Sequence, residues 1–87
     1  MTTLSPQALR DWLVNYAATS LSMGKEDIPL DANFDTYGLD SVEVIVMAGV
    51  MEEAFEIEID PSWFFDDPTI NGVVAILGRR LAQEEEV

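Results

Sequence analysis

Three apolar stripes recur at helical spacing in this chain, and they limit it to helices packed on helices. Leu9, Trp12, Leu13 and Tyr16 form the first. Val44, Met47, Ala48, Met51 and Phe55 form the second, and Ile70, Val73, Val74, Leu77 and Leu81 the third. Each set lies on one face of a helix with 3.6 residues per turn. Three such faces close around a single core. The 87 residues make one domain, 1–87. A chain of this size buries about 60–65% of the surface its unfolded form exposes, so the core is small.

The first helix is expected from Pro6 to about Ser20. Ser5 caps it, Pro6 suits its first position, and Leu4 with Leu9 forms a hydrophobic staple. A long connection follows, from about Leu21 to Asp40, broken by Gly24 and Pro29. A connection this long must be held down, and Ile28, Leu30, Phe34 and Leu39 are the pegs, with room for a short helical turn. Asp31, Asn33 and Asp35 alternate like the start of a calcium loop. Thr36 stands where such a loop needs glycine, and Val42 where it needs glutamate, so no calcium site is expected.

The second helix is expected from Ser41 to about Phe55, capped by Asp40 or Ser41. Val42, Ile45 and Val46 make its other side apolar too, around Gly49, with Glu43, Glu52 and Glu53 as an acidic fringe. Either loop residues cover this patch, or it is a docking surface for basic, partly apolar proteins. Glu56 to Pro61 reads as an extended connector burying Ile57 and Ile59, because no partner strand is present in the sequence. Pro61 to Phe65 reads as one short turn that inserts Trp63, Phe64 or Phe65 between the long helices. Thr69 caps the last helix, Gly72 and Gly78 weaken it or permit close approach, and Arg79 and Arg80 fall in its last turn. Glu84 to Val87 reads as a frayed acidic tail.

Seventeen acidic residues face four basic ones, a net charge of −13. That charge repels nucleic acid and anionic lipid and attracts basic protein surfaces. No apolar run reaches membrane-spanning length, and no signal peptide is expected. Without cysteine there is neither a disulfide nor a thiolate metal site, which fits a reducing cytosol; a cytoplasmic protein and a monomer are expected. Any thioester chemistry needs a thiol from outside the chain. Without histidine, Ser41 has no obvious general base; the single lysine, Lys25, lies in the long connection, and Glu43 replaces the second glycine of a Gly-x-Ser-x-Gly elbow. Ser41 is therefore not expected to be a catalytic nucleophile. A helix cap is the plain structural alternative for it.

Asp35-Thr36-Tyr37-Gly38-Leu39-Asp40-Ser41-Val42 resembles the attachment motif of acyl carrier proteins. Phe65-Asp66-Asp67-Pro68-Thr69-Ile70 resembles the segment before the last helix in carrier domains of polyketide synthases and nonribosomal peptide synthetases. The resemblance covers nearly the whole chain. It implies an all-α fold, a small right-handed four-helix bundle of three longer helices plus one short helix. It implies a non-catalytic carrier whose Ser41 receives 4′-phosphopantetheine from coenzyme A, through a phosphopantetheinyl transferase and Mg²⁺. The thiol of that group would carry acyl intermediates as thioesters. Asp40 would assist transferase recognition or metal placement. Val42, Glu43, Ile45, Val46, Glu52 and Glu53 would dock partners: an acyl-loading enzyme, a ketosynthase, an acyltransferase or other tailoring enzymes. Val46 and Gly49 depart from the fatty-acid-synthesis type, which favours a stand-alone carrier of a specialised polyketide or related pathway. A peptidyl or aminoacyl carrier is the runner-up, although Leu39-Asp40 departs from the usual peptidyl motif. An unmodified helical interaction module is the alternative of a different class.

Overall fold

In a computed structural model the backbone is described for residues 5–85 and the side chains for residues 5–80. The described residues form α1 (Pro6–Leu21), α2 (Ser41–Phe55), α3 (Trp63–Asp66) and α4 (Ile70–Glu85). Two single 3₁₀ turns, Lys25–Asp27 and Phe34–Tyr37, interrupt the long connection between α1 and α2. The expected all-α order of three long helices and one short one is therefore present.

The stripes face one core. Leu9, Leu13, Val44, Met47, Ala48, Met51, Ile70, Val73, Val74 and Leu77 are buried together. Trp12 is partly buried and stacks on Tyr16, with ring centroids 5.3 Å apart, while the edge of Phe55 meets it at 6.2 Å. The side chain of Leu81 lies outside the described residues, as does Leu4, so the staple does too. Ser5 caps α1 by accepting a hydrogen bond from the Ala8 N–H at 3.1 Å. Thr69 caps α4 in the same way, its Oγ1 accepting the Gly72 N–H at 2.9 Å.

Local chemistry and long-range stitching both hold the α1–α2 connection. Ile28, Phe34 and Leu39 are buried and Leu30 packs against the core. The Phe34 ring stacks on Phe64 of α3, 6.5 Å between centroids, so the short helix drops Phe64 into the core while Phe65 stays exposed. Phe34 N–H donates to the Pro68 carbonyl at 2.9 Å, and Asn71 N–H donates to the Leu30 carbonyl at 3.0 Å. The Asn71 amide also donates to Asp31 Oδ1 at 2.7 Å and accepts from Arg10 Nε at 3.1 Å. One side chain on α4 thus ties α1 to the loop. Asp31, the first residue of the calcium-loop lookalike, is a loop anchor.

Beyond α2 the chain reverses at Glu56, whose φ of 55° is left-handed. The connector is extended rather than sheet-paired. Ile59 is buried, Ile57 packs on the core, and the Ile59 N–H donates to Glu52 Oε2 at 2.8 Å. One expectation is corrected at the C-terminal end. Arg79 and Arg80 are not in the last turn of α4, which runs on to Glu85. Leu81, Ala82, Gln83 and Glu84 are good helix formers with no glycine or proline among them, so nothing stops the helix after Arg80. Residues 86 and 87 lie outside the described range. The Arg80 guanidinium instead sits over the Trp63 ring, 5.2 Å from its centroid, a cation–π contact joining α4 to α3.

Candidate functional site

Ser41 is the first residue of α2 and is exposed. The segment before it is fixed on both sides. Gly38 closes the 3₁₀ turn at φ 112°, a conformation open to glycine and strained for other residues. Leu39 follows as a buried peg, its N–H donating to the Phe34 carbonyl at 2.9 Å. Asp40 then caps the helix, with Oδ1 accepting the Glu43 N–H at 2.9 Å. The cap is therefore Asp40, and the Ser41 hydroxyl is not spent on the helix end. The positive end of the helix dipole lies at Ser41, which suits an anion attached there.

Beside Ser41 an open cleft of about 150 Å³ runs between the loop, α2 and α3. Phe34, Leu39, Val44, Phe65 and Pro68 line it with apolar surface, and Asn33 and Asp35 add polar groups. A larger groove of about 520 Å³ lies along α3 and α4, lined by Asp66, Asp67, Arg79 and Arg80 and not by Ser41. The sequence did not reveal the cleft, because its walls come from three separated segments.

The second apolar face of α2 is not covered by the loop, which removes the first of the two alternatives for it. Val42 is 69% exposed, Ile45 49% and Val46 48%. Val50 belongs to the same face and was missed, although 42, 46 and 50 form an i, i+4, i+8 row. Gly49 leaves open space within the row, since an added Cβ there would meet nothing within 4 Å. Glu43 and Glu53 are exposed on the fringe. Glu52 differs: it is partly buried and its carboxylate is engaged by the Ile59 N–H. The structure thus brings Asp40, Ser41, Val42, Glu43, Ile45 and Val46 onto the first two turns of one helix, and turns Glu52 toward the connector.

Tyr37, four residues before Ser41, buries its hydroxyl without a hydrogen-bond partner, and burial pushes its pKa up to about 12. Among the described residues no helix is long and apolar enough to cross a membrane, and no cluster of three carboxylates is placed to hold a metal ion.

Comparison with known proteins places the chain in a family. The family model described as "Phosphopantetheine attachment site" matches residues 11–77. The chain belongs to that family: it is a carrier protein of the acyl and peptidyl carrier group, whose prosthetic group is a covalently attached 4′-phosphopantetheine. Among curated proteins it is 37% identical over 60 residues to polyketide synthase PksL of Bacillus subtilis, covering 69% of this chain. It is 29% identical over 69 residues, 79% of this chain, to one of the phenolphthiocerol/phthiocerol polyketide synthase polypeptides of Mycobacterium tuberculosis. The chain spans only 1% and 4% of the lengths of those two relatives. A free-standing peptidyl carrier protein from Acinetobacter baumannii superposes with a TM-score of 0.79 at 26% identity, covering 91% of this chain and 99% of that one. The HMG-ACPI domain from the CurA module of Lyngbya majuscula shares the fold, with a TM-score of 0.77 at 16% identity over 98% of this chain and 86% of that one.

The residues present fit the prosthetic group. Ser41 offers an exposed hydroxyl not used as a cap, at the helix end that favours a phosphodiester anion, with an apolar cleft at its side.

Proposed function

We propose that Ser41 is the attachment residue and that the protein carries acyl intermediates between the enzymes of a polyketide or related specialised pathway. The observation that carries this reading is the placement of Ser41: the first residue of α2, exposed, and relieved of capping by Asp40. In the modification step the Ser41 oxygen attacks the phosphorus of coenzyme A that bears the pantetheine. Its proton passes to the transferase, the P–O bond to the second phosphate breaks, and the adenosine bisphosphate leaves. When bound, the group supplies the thiol that this chain lacks, and with it the thioester. The residues of the chain then present, orient and recognise. Asp40 holds the helix start rigid by capping Glu43 N–H and adds a carboxylate beside the reacting hydroxyl for recognition by the transferase and its metal.

Partners dock on the outer face of α2. Val42, Ile45, Val46 and Val50 supply apolar contact, and Glu43 and Glu53 an acidic rim, so the matching partner surface is an apolar patch edged by lysine and arginine. Glu52 contributes less than its position on the helix would indicate, because it is held by the connector. Polyketide synthase relatives favour an acyl cargo. A peptidyl or aminoacyl cargo is the second reading, supported by the Acinetobacter peptidyl carrier neighbour.

Intact-protein mass spectrometry tests the attachment. The purified chain is incubated with coenzyme A, Mg²⁺ and a broad-specificity phosphopantetheinyl transferase, with Ser41→Ala beside it. The wild type is expected to gain one phosphopantetheine mass and the variant none, with its fold retained because the cap is Asp40. An unmodified chain across several transferases, or a gain in Ser41→Ala, overturns the assignment.

A further inference from the structure

The cleft beside Ser41 has a size and position that select what it holds. Ser41 is itself one of its lining residues, so the first apolar group outward from that oxygen reaches it before any other. In a pantetheine arm that group is the carbon bearing two methyls, which follows the phosphodiester. A secondary hydroxyl, two amides and finally the thiol come after it. The cleft measures about 150 Å³. A space of that order accepts a group about the size of a six-carbon ring. Three of its lining residues belong to the core: Phe34, Leu39 and Val44 are 1%, 1% and 2% exposed, and they join the fully buried Met47 and Met51. Entry of a long acyl chain would have to displace well-packed side chains, which is costly.

Resting on the assignment of Ser41 as the attachment residue, we infer that this cleft binds the root of the arm, seating its dimethyl carbon against Phe65 and Pro68 while the thiol and its acyl group remain in solvent. Phe65 is the positioning residue. It is a large aromatic ring 44% exposed on a four-residue helix whose neighbouring ring, Phe64, already fills the core. Its exposed area is apolar surface that the methyls cover. Asn33 and Asp35, also in its lining, are donor and acceptor for the hydroxyl that follows. Anchoring the root shortens the freely moving part of the arm and sets the direction in which it leaves the protein.

The test uses the holo protein, prepared with ¹³C-labelled pantetheine, and its acetyl, hexanoyl and dodecanoyl thioesters. The arm methyls are expected upfield of their positions in free coenzyme A, with nuclear Overhauser contacts to the Phe65 ring and Pro68. These signals are expected to be the same for all three acyl chains. Phe65→Ala returns the methyls to their free positions, and Phe65→Leu keeps the contacts but loses the ring-current shift. Phe65 is exposed, so both variants fold, which circular dichroism checks. Methyls at free-coenzyme positions in the wild type overturn the proposal. So do contacts from the acyl chain, rather than the methyls, to Val44 or Phe65. Failure to load Ser41 at all is read earlier, by mass, and overturns the attachment assignment as well.

Discussion

Among the described residues, the Tyr37 hydroxyl is a buried polar group without a partner, although the ring is only partly buried. A buried polar atom without a partner costs about 1–3 kcal/mol. Tyr37→Phe removes that atom and little else, so the variant is expected to be more stable by about 1 kcal/mol. The check is a urea titration in which the midpoint rises while the slope stays constant. The pH dependence follows from the same burial. The folded-state pKa, about 12, lies above the ordinary value of 10.0. The unfolded chain therefore loses the Tyr37 proton first, and stability falls as pH rises from about 10 to 12. In Tyr37→Phe that decline is expected to be shallower; an identical decline would show that other groups cause it. Nothing in the sequence marked Tyr37, because an isolated tyrosine gives no sign of where its hydroxyl ends.

At the scale of elements the glycines of α2 and α4 divide cleanly. A Cβ added at Gly72 would run into Asp67 Cγ and lie 2.6 Å from the Asp67 backbone oxygen. The carbonyl cannot swing away as a side chain can. Gly72→Ala is therefore expected to destabilise by about 1–3 kcal/mol through overpacking, despite the better helix propensity of alanine. At Gly49 and Gly78 an added Cβ meets nothing within 4 Å. Gly49→Ala and Gly78→Ala are expected to stabilise, each by up to about 1 kcal/mol. Thermal unfolding of the three variants checks the signs. A Gly72→Ala protein as stable as the other two would show that the α3–α4 connector yields. The three long helices were legible because their stripes and caps are local: Ser5, Asp40 and Thr69 each act within three residues. The two 3₁₀ turns were legible only as a need for anchorage. The Asn71 tie was not legible, since its partners lie 61 and 40 residues away. Ser41 itself could be read from its neighbours, and Val50 from its row with Val42 and Val46, whereas the cleft required the folded chain.

For the whole molecule the dominant physical fact is charge. Seventeen carboxylates against four cations repel one another in the folded state more than in the expanded chain. Salt shortens the range of that repulsion, to about 8 Å at physiological ionic strength. The melting temperature is expected to rise with NaCl and to rise at lower concentrations with MgCl₂, as followed by circular dichroism. A melting temperature lowered by moderate salt would show that attractive pairs outweigh the repulsion. The stitching of the long loop has a further consequence, for timing. A ribosome makes Ser41 before it makes Pro68 and Asn71, whose backbone groups hold Phe34 and Leu30 in place. Until those residues emerge, the platform under Ser41 has no anchor on its far side. A nascent chain thus displays the serine but not its setting, and a modifying enzyme that reads the setting is matched only to the completed fold.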